Sequence, residues 1–157
     1  MLENTALFFK WAEPLAADID AAQHSILITA LSFHPPRSDA DKPINWLWRA
    51  VKNAAARGVQ VEMILPAPSR AHPATAMNGQ AAERLRAAGC LYHFAPPGRL
   101  LHAKTAVMDA RLVWVGSGNW TAAAAAYNHE AYLRIESAEL ARKMRTHWID
   151  SGLKGGA

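Results

Sequence analysis
Apolar positions along the chain keep two rhythms, and their alternation predicts the elements. Trp11, Leu15, Ile19 and Ala22 recur at three- and four-residue spacing, so residues 11–23 read as an amphipathic helix with Pro14 in its first turn. SILITALSF, residues 25–33, is instead an unbroken apolar run rich in β-branched residues, the composition of a buried strand. The helical rhythm returns over residues 44–57, with Ile44, Leu47, Trp48 and Val51 on one face and Gly58 as the stop,. VQVEMIL (59–65) then reads as a strand, about 74–88 as a helix closed by Gly89, and CLYHF (90–94) as a strand,. Between these lie two loops, HPPRSDADKP (34–43) and PAPSRAHP (66–73), marked by their prolines,.

This βαβαβ order predicts an α/β fold with a mixed, mostly parallel β-sheet flanked by helices. Past residue 101 the pattern changes. HAKTAVMD (102–109) and RLVWVGS (111–117) are apolar runs separated only by an Asp109-Ala110 turn, a hairpin pattern,. A short alanine-rich helix (121–126), a strand EAYLRIE (130–136) and a last helix from Ser137 to about residue 150 complete the order. The length of 157 residues suits a single domain with its core at about 7–150 and a flexible tail at 151–157,.

Composition narrows the classes. Seventeen Lys and Arg against thirteen Asp and Glu leave a net charge of +4, which suits a phosphate-bearing partner such as nucleic acid or anionic lipid. Cys90 is the single cysteine, so neither an internal disulfide nor a cysteine-based zinc site is available. No window approaches the ~20 apolar residues of a membrane span, and MLENTALFFKWAEP lacks the pattern of a secretory signal,. As given, the chain reads as soluble.

The chemistry concentrates in LHAKTAVMDARLVWVGSGNW, residues 101–120. In a regular strand His102 and Lys104 share a face, whereas Asp109, at an odd offset of seven, does not. Asp109 is therefore expected to hold the hairpin rather than to react. The following strand ends Gly116-Ser117-Gly118-Asn119, where Ser117 and Asn119 can donate to an anionic oxygen beside a backbone of little bulk. A histidine, a lysine, an amide and a hydroxyl together make a phosphate site containing a nucleophile or acid. The remaining histidines, His24, His34, His72, His93, His129 and His147, lack metal-ligand spacing,. Trp46, Trp48, Trp114 and Trp148 read as core or interface, and Trp120 as packing near the pocket rim. No cofactor and no metal is expected.

The spacing His102-x-Lys104-x4-Asp109-x6-Gly116-Ser117-x-Asn119 resembles the complete HKD motif of the phospholipase D superfamily. Six fixed residues match by accident in a chain of this length with odds on the order of 10⁻⁶. Asn128-His129-Glu130 is similar to the N-x-E that follows the motif in that family, and the strand and helix blocks resemble its single-motif members over roughly residues 7–150.

The resemblance implies a phospholipase D/nuclease-like fold and a metal-free, two-step reaction through a phosphohistidine. His102 would be the nucleophile, and a second copy of His102 the acid that protonates the leaving group. Lys104 and Asn119 would bind the non-bridging oxygens with help from Ser117. Glu130 would hydrogen-bond the His102 ring, with Asp109, Gly116 and Asn128 in supporting positions. Because the chain carries one motif, it also implies a homodimer with a composite site.

Within the family, the short chain, the positive charge, Asn119-Trp120-Thr121 and Asn128-His129-Glu130 point to an endonuclease acting on DNA or RNA. GRLLHAKTAVMD (98–109) also resembles the second half of cardiolipin synthases, so a phospholipid-directed enzyme, or half of a two-motif one, is the alternative. A non-catalytic nucleic-acid-binding module is a third reading, opposed by the intact motif. Specificity is expected in the loops 34–43 and 66–74, with Arg37, Lys42 and Arg70.

Overall fold
The computed structural model describes residues 4–36, 42–96 and 98–150. Arg37 and the tail 151–157, both part of the sequence reading, lie outside the described residues. In chain order the elements are β1 (Thr5–Phe8), α1 (Ala12–Ala21), β2 (Ser25–Thr29), α2 (Pro43–Ala56), β3 (Gln60–Pro66) and α3 (Asn78–Ala87). They continue with β4 (Leu91–Ala95), β5 (Thr105–Met108), β6 (Leu112–Gly116), α4 (Ala122–Ala126), β7 (Tyr132–Glu136) and α5 (Ala138–Asp150).

The seven strands form one sheet in the order β1-β7-β6-β5-β2-β3-β4. It is mixed, as expected, but the parallel part is smaller than the sequence suggested. Only β2–β3 and β3–β4 run parallel; β2–β5, β5–β6, β6–β7 and β1–β7 are antiparallel. Parallel neighbours need a crossover long enough to carry the chain back along the sheet, which α2 and α3 supply. Neither β5 nor β6 is preceded by a helix, and α4, at five residues, advances only about 7 Å. The β1 strand has no counterpart in the sequence reading, since four residues on the sheet edge carry too little pattern to register.

Strand alternation divides the core into two unequal layers. Ile26, Ile28, Met63, Ala106 and Trp114 face α1, α2, α3 and α4 in the larger cluster. Leu27, Ile64, Val107 and Val113 face the other way, against Leu140, Ala141, Met144 and Trp148 of α5. Trp48 and Trp114 are buried, and the Trp114 indole donates to Asp18 Oδ2 at 2.8 Å, which also takes Arg134 Nε at 2.7 Å. That junction fixes α1 onto β6 and β7.

The β5–β6 hairpin turns on Asp109 and Ala110, whose φ angles of 51° and 49° are those of the central pair of a type I′ turn, closed by Arg111 N–H on the Met108 carbonyl at 3.0 Å. The Asp109 carboxylate accepts the backbone N–H groups of Gln23, His24 and Ser25 at 2.8–2.9 Å, tying the turn to the start of β2. Burial alone would raise its pKa; the N–H groups of Ser25, Gln23 and His24 outweigh that and hold it below the usual carboxylate range. Hydrogen bonds to a charged group contribute about 1.5–3 kcal/mol each, less where donors are half exposed as here, so Asp109→Ala should cost about 2 kcal/mol. For a chain of this size that is about 4–8 °C in Tm. A depressed pKa stabilises the fold above the unfolded value of about 3.9 and ceases to as pH falls through the folded value. The difference between variant and parent should therefore be full at neutral pH and shrink in acid, as thermal melts across that range would measure.

Candidate active site
The segment ahead of β5 carries His102 and Lys104. It is extended but mostly outside the ladder: β5 begins at Thr105, not at residue 102. Leu101 is buried in the α5-side core, and the Lys104 carbonyl accepts Gly116 N–H at 3.1 Å, so the segment is pinned at both ends. Lys104 Nζ donates to the His102 carbonyl at 2.8 Å and lies 3.2 Å from His102 Nδ1. The histidine is exposed while the lysine is only 5% exposed. Burial pushes the Lys104 ammonium below the ordinary lysine range, and the nearby Glu130 carboxylate works against that push.

Asp109 stands at the opposite end of β5. At about 3.3 Å per residue it is roughly 16 Å from Lys104. Distance, rather than the face parity expected from a regular strand, separates it from the other motif residues.

Beyond β6, Ser117 and Glu130 meet. Ser117 Oγ donates to Glu130 Oε2 at 2.5 Å, and Asn128 Nδ2 donates to Glu130 Oε1 at 3.1 Å. Ser117 is further fixed by two hydrogen bonds with the Ala131 backbone, N–H to O at 3.1 Å and Oγ from N–H at 3.2 Å. Two expectations change. The described partners of Glu130 are Ser117 and Asn128 rather than the His102 ring, because the carboxylate is already clamped by one donor from the end of β6 and one from its own loop. Ser117 gives its proton to Glu130, so in this arrangement its hydroxyl orients the carboxylate instead of facing an anion.

The glycines also serve a different purpose from the one their small size suggested. A Cβ at Gly116 would sit 2.3 Å from Cγ of Tyr132, and one at Gly118 would be 3.0 Å from the Trp11 ring. Tyr132 stacks on Trp11 with ring centroids 4.5 Å apart, and its hydroxyl donates to the Gly118 carbonyl at 2.5 Å. The missing side chains make room for aromatic packing beneath the site; burial of the phenol raises its pKa far above the usual tyrosine value.

Asn119 Oδ1 is buried without a hydrogen-bond partner among the described residues. An unsatisfied buried acceptor costs about 1–3 kcal/mol, so the amide has hydrogen-bonding capacity open to a further partner; half a turn about its last torsion exchanges acceptor for donor. Its neighbour Trp120 is 1% exposed and packs edge-on to Phe33, as the packing reading expects. Trp120 N–H donates to the Ser32 carbonyl at 3.0 Å, and its own carbonyl accepts His34 N–H at 2.8 Å.

That clamp depends on a residue the sequence did not single out. Asn78, at the start of α3 and fully buried, donates from Nδ2 to the Leu31 and Pro66 carbonyls and accepts Phe33 N–H at Oδ1. It joins the ends of β2 and β3 and, through Phe33 and Trp120, sets where Asn119 stands. The only hint in the sequence was a poor helix former inside the helix read over about 74–88,.

Among the described residues no group of His, Cys, Asp and Glu side chains is arranged to hold a metal ion. No described helix is long and apolar enough to cross a membrane.

Comparison with known proteins adds four relationships. Residues 15–149 match the family model described as cardiolipin synthase, PLD-like domain, where PLD denotes phospholipase D. A phospholipase D of Rickettsia bellii (strain RML369-C) is 31% identical over 142 residues, covering 90% of this chain. The chain spans just under two thirds, 64%, of that relative's length. Among solved structures, Nuc from Salmonella typhimurium, a phospholipase D family member, superimposes with a TM-score of 0.75 at 23% identity, over 93% of this chain and 91% of its own. NucT from Helicobacter pylori does so with a TM-score of 0.68 at 21% identity, over 93% of each chain. At such identities the two structures speak for a common fold.

Proposed function
The chain belongs to the phospholipase D superfamily, and on that premise we propose that it is a metal-independent phosphodiesterase, an endonuclease on DNA or RNA whose active site is shared between two copies. The observation that carries the reading is Lys104: a lysine 5% exposed, in contact with His102 and in no ion pair among the described residues. A buried cation without a direct ion pair is costly; the Glu130 carboxylate offsets only part of that cost, and a phosphodiester beside His102 supplies the direct counter-charge.

In this reaction a ring nitrogen of His102 forms a bond to phosphorus while the bond to the leaving oxygen breaks. His102 of the partner gives that oxygen its proton. The partner histidine then takes a proton from water, whose oxygen displaces the phosphohistidine and restores the first ring. Lys104 and Asn119 hold the non-bridging oxygens. Glu130, positioned by Ser117 and Asn128, supplies the negative field that favours imidazolium.

One chain supplies one such histidine, and the sheet offers a face for a second copy. Leu7, Leu133 and Val115 lie side by side across β1, β7 and β6, 55%, 41% and 37% exposed. They continue the sheet face that α5 covers elsewhere. Leu133 and Val115 are close in the chain to Glu130 and Ser117, so a two-fold partner seated on this row meets the site at its edge. The net charge of +4 supports a nucleic-acid substrate. The family model's description and the name of the Rickettsia relative favour a phospholipid diester as the second reading.

The deciding experiment offers single- and double-stranded DNA, RNA and phosphatidylglycerol vesicles to the protein with EDTA present. Cleavage of a nucleic acid that survives EDTA is the expected result. Loss of activity on chelation would sink the metal-free mechanism, and cleavage confined to the vesicles would replace the endonuclease reading with the phospholipid one.

A further inference from the structure
The carboxyl ends of parallel strands are where open α/β sheets bind ligands, and the two outer parallel strands here end on a cavity. A hollow of about 420 Å³ is walled by Pro66, Pro68, His72, Pro96, Arg99 and Leu101, among others. Pro66 closes β3, and Ala95, which also lines the hollow, closes β4. Its Leu101 wall directly precedes His102 in the chain, so the wall and the proposed nucleophile stand on consecutive residues. By contrast, the hollow of about 560 Å³ beside Ala110 and Arg142 lies at the hairpin end of the sheet, away from the chemistry.

Three features make it a built site. Its size falls within the range of about 300–1,000 Å³ typical of ligand pockets. Its walls are held: Asn78 Nδ2 donates to the Pro66 carbonyl at 3.0 Å. Thr75, fully buried, donates to the His72 carbonyl at 2.8 Å and accepts Ser69 N–H at 2.9 Å. Proline rings and Leu101 give a stiff apolar surface that needs little ordering on binding. Finally, among the described residues no Asp or Glu lines it, and the ionisable side chains that do are Arg99 and His72. An apolar hollow with a cationic rim, next to a phosphate site, complements a unit that is itself part apolar and part anionic.

We propose that this cavity is the subsite for the nucleotide adjoining the scissile phosphate, with the base and sugar against the proline and leucine walls and Arg99 pairing with the next phosphate along the strand. The assignment rests on the phosphodiesterase reading above and extends it to substrate length, making Arg99 a specificity-determining residue. A single diester lacks the second phosphate that Arg99 would pair with, whereas an oligonucleotide supplies it.

The test compares the full-length protein with Arg99→Ala and Arg99→Lys on bis(p-nitrophenyl) phosphate and on a single-stranded oligonucleotide. Arg99 is exposed, so neither change threatens folding. For Arg99→Ala, KM on the oligonucleotide should rise about tenfold and the salt dependence of binding should weaken by about one phosphate contact. Arg99→Lys should recover part of both. Turnover of bis(p-nitrophenyl) phosphate should stay within about twofold. Anisotropy with a labelled oligonucleotide on a His102→Asn background should show the same tenfold weakening without any turnover.

Equal losses on both substrates, or an unchanged oligonucleotide KM and Kd, would overturn the subsite while leaving the phosphodiesterase reading intact. A parent protein inactive on both substrates would overturn that reading and the subsite with it. Arg99-dependent cleavage of phosphatidylglycerol vesicles, with none of oligonucleotides, would replace the nucleotide by a lipid headgroup.

Discussion
Mixing the parent protein with an equal amount of His102→Ala chains, under conditions that let subunits exchange, should lower activity per parent chain about twofold, because random pairing puts half of the parent chains beside a variant partner. The variant alone should fall by about 10⁴-fold or more, as expected when the attacking group of a covalent mechanism is removed. Both results follow from the proposed mechanism, in which each reaction needs one histidine to attack and another to move the proton, and each chain brings one. Leu133→Asp, which places a charge in the exposed row of β1, β7 and β6, should yield a monomer by solution mass and lose activity in parallel. Undiminished activity in the mixture, or an active monomer, would show that one chain holds the complete site. The double readout matters, since Leu133 is 41% exposed and its replacement should leave the monomer folded.

Gly116→Ala is expected to be the most damaging single-methyl change in the protein. The new Cβ would fall 2.3–2.5 Å from three carbons of the Tyr132 ring, well inside contact distance. Tyr132 has little room to retreat. It is 2% exposed, stacked on Trp11 and tethered by its hydroxyl to the Gly118 carbonyl. Overpacking of a filled core costs about 1–3 kcal/mol and sometimes more; with backbone on one side and an aromatic stack on the other, about 3 kcal/mol is expected here. Any relief by moving Tyr132 shifts Gly118 and the Ser117–Glu130 pair, so activity should drop with stability. Urea unfolding read beside kcat would show both. A midpoint within experimental scatter of the parent would mean that β6 and β7 can separate locally, and would remove the proposed packing role of Gly116.

The order of helices and strands from residue 11 onward was legible in the sequence, because periods of two and of three to four mark which face of each element must leave water. The motif residues were legible too, since polar groups inside apolar runs need a reason to be there. Their arrangement was less so. His102 and Lys104 do come together, but in a pinned extended segment rather than a regular strand. Asp109 is separated from them by the length of β5, not by which face it occupies. Ser117 engages Glu130, and the paired glycines admit Tyr132 and Trp11; neither fact is visible locally, because each partner lies more than a dozen residues away. Asn78 was missed for the same reason: its three hydrogen bonds go to Leu31, Phe33 and Pro66, and a lone asparagine carries no pattern.

What the sequence determined by itself is local and chemical: the apolar periodicity, the turn at Asp109-Ala110, and the set of side chains proposed to attack and bind a phosphodiester. The tertiary structure decided everything that depends on separation across the chain. It made most of the strand pairings antiparallel, added β1 at the sheet edge, clamped Glu130 between Ser117 and Asn128, and opened a cavity at the ends of β3 and β4. The physical reason is that side-chain type and spacing fix what each residue can do and which way it faces, whereas hydrogen-bond partners and cavities form only when strands distant in sequence are brought within a few ångströms by burial of their shared core.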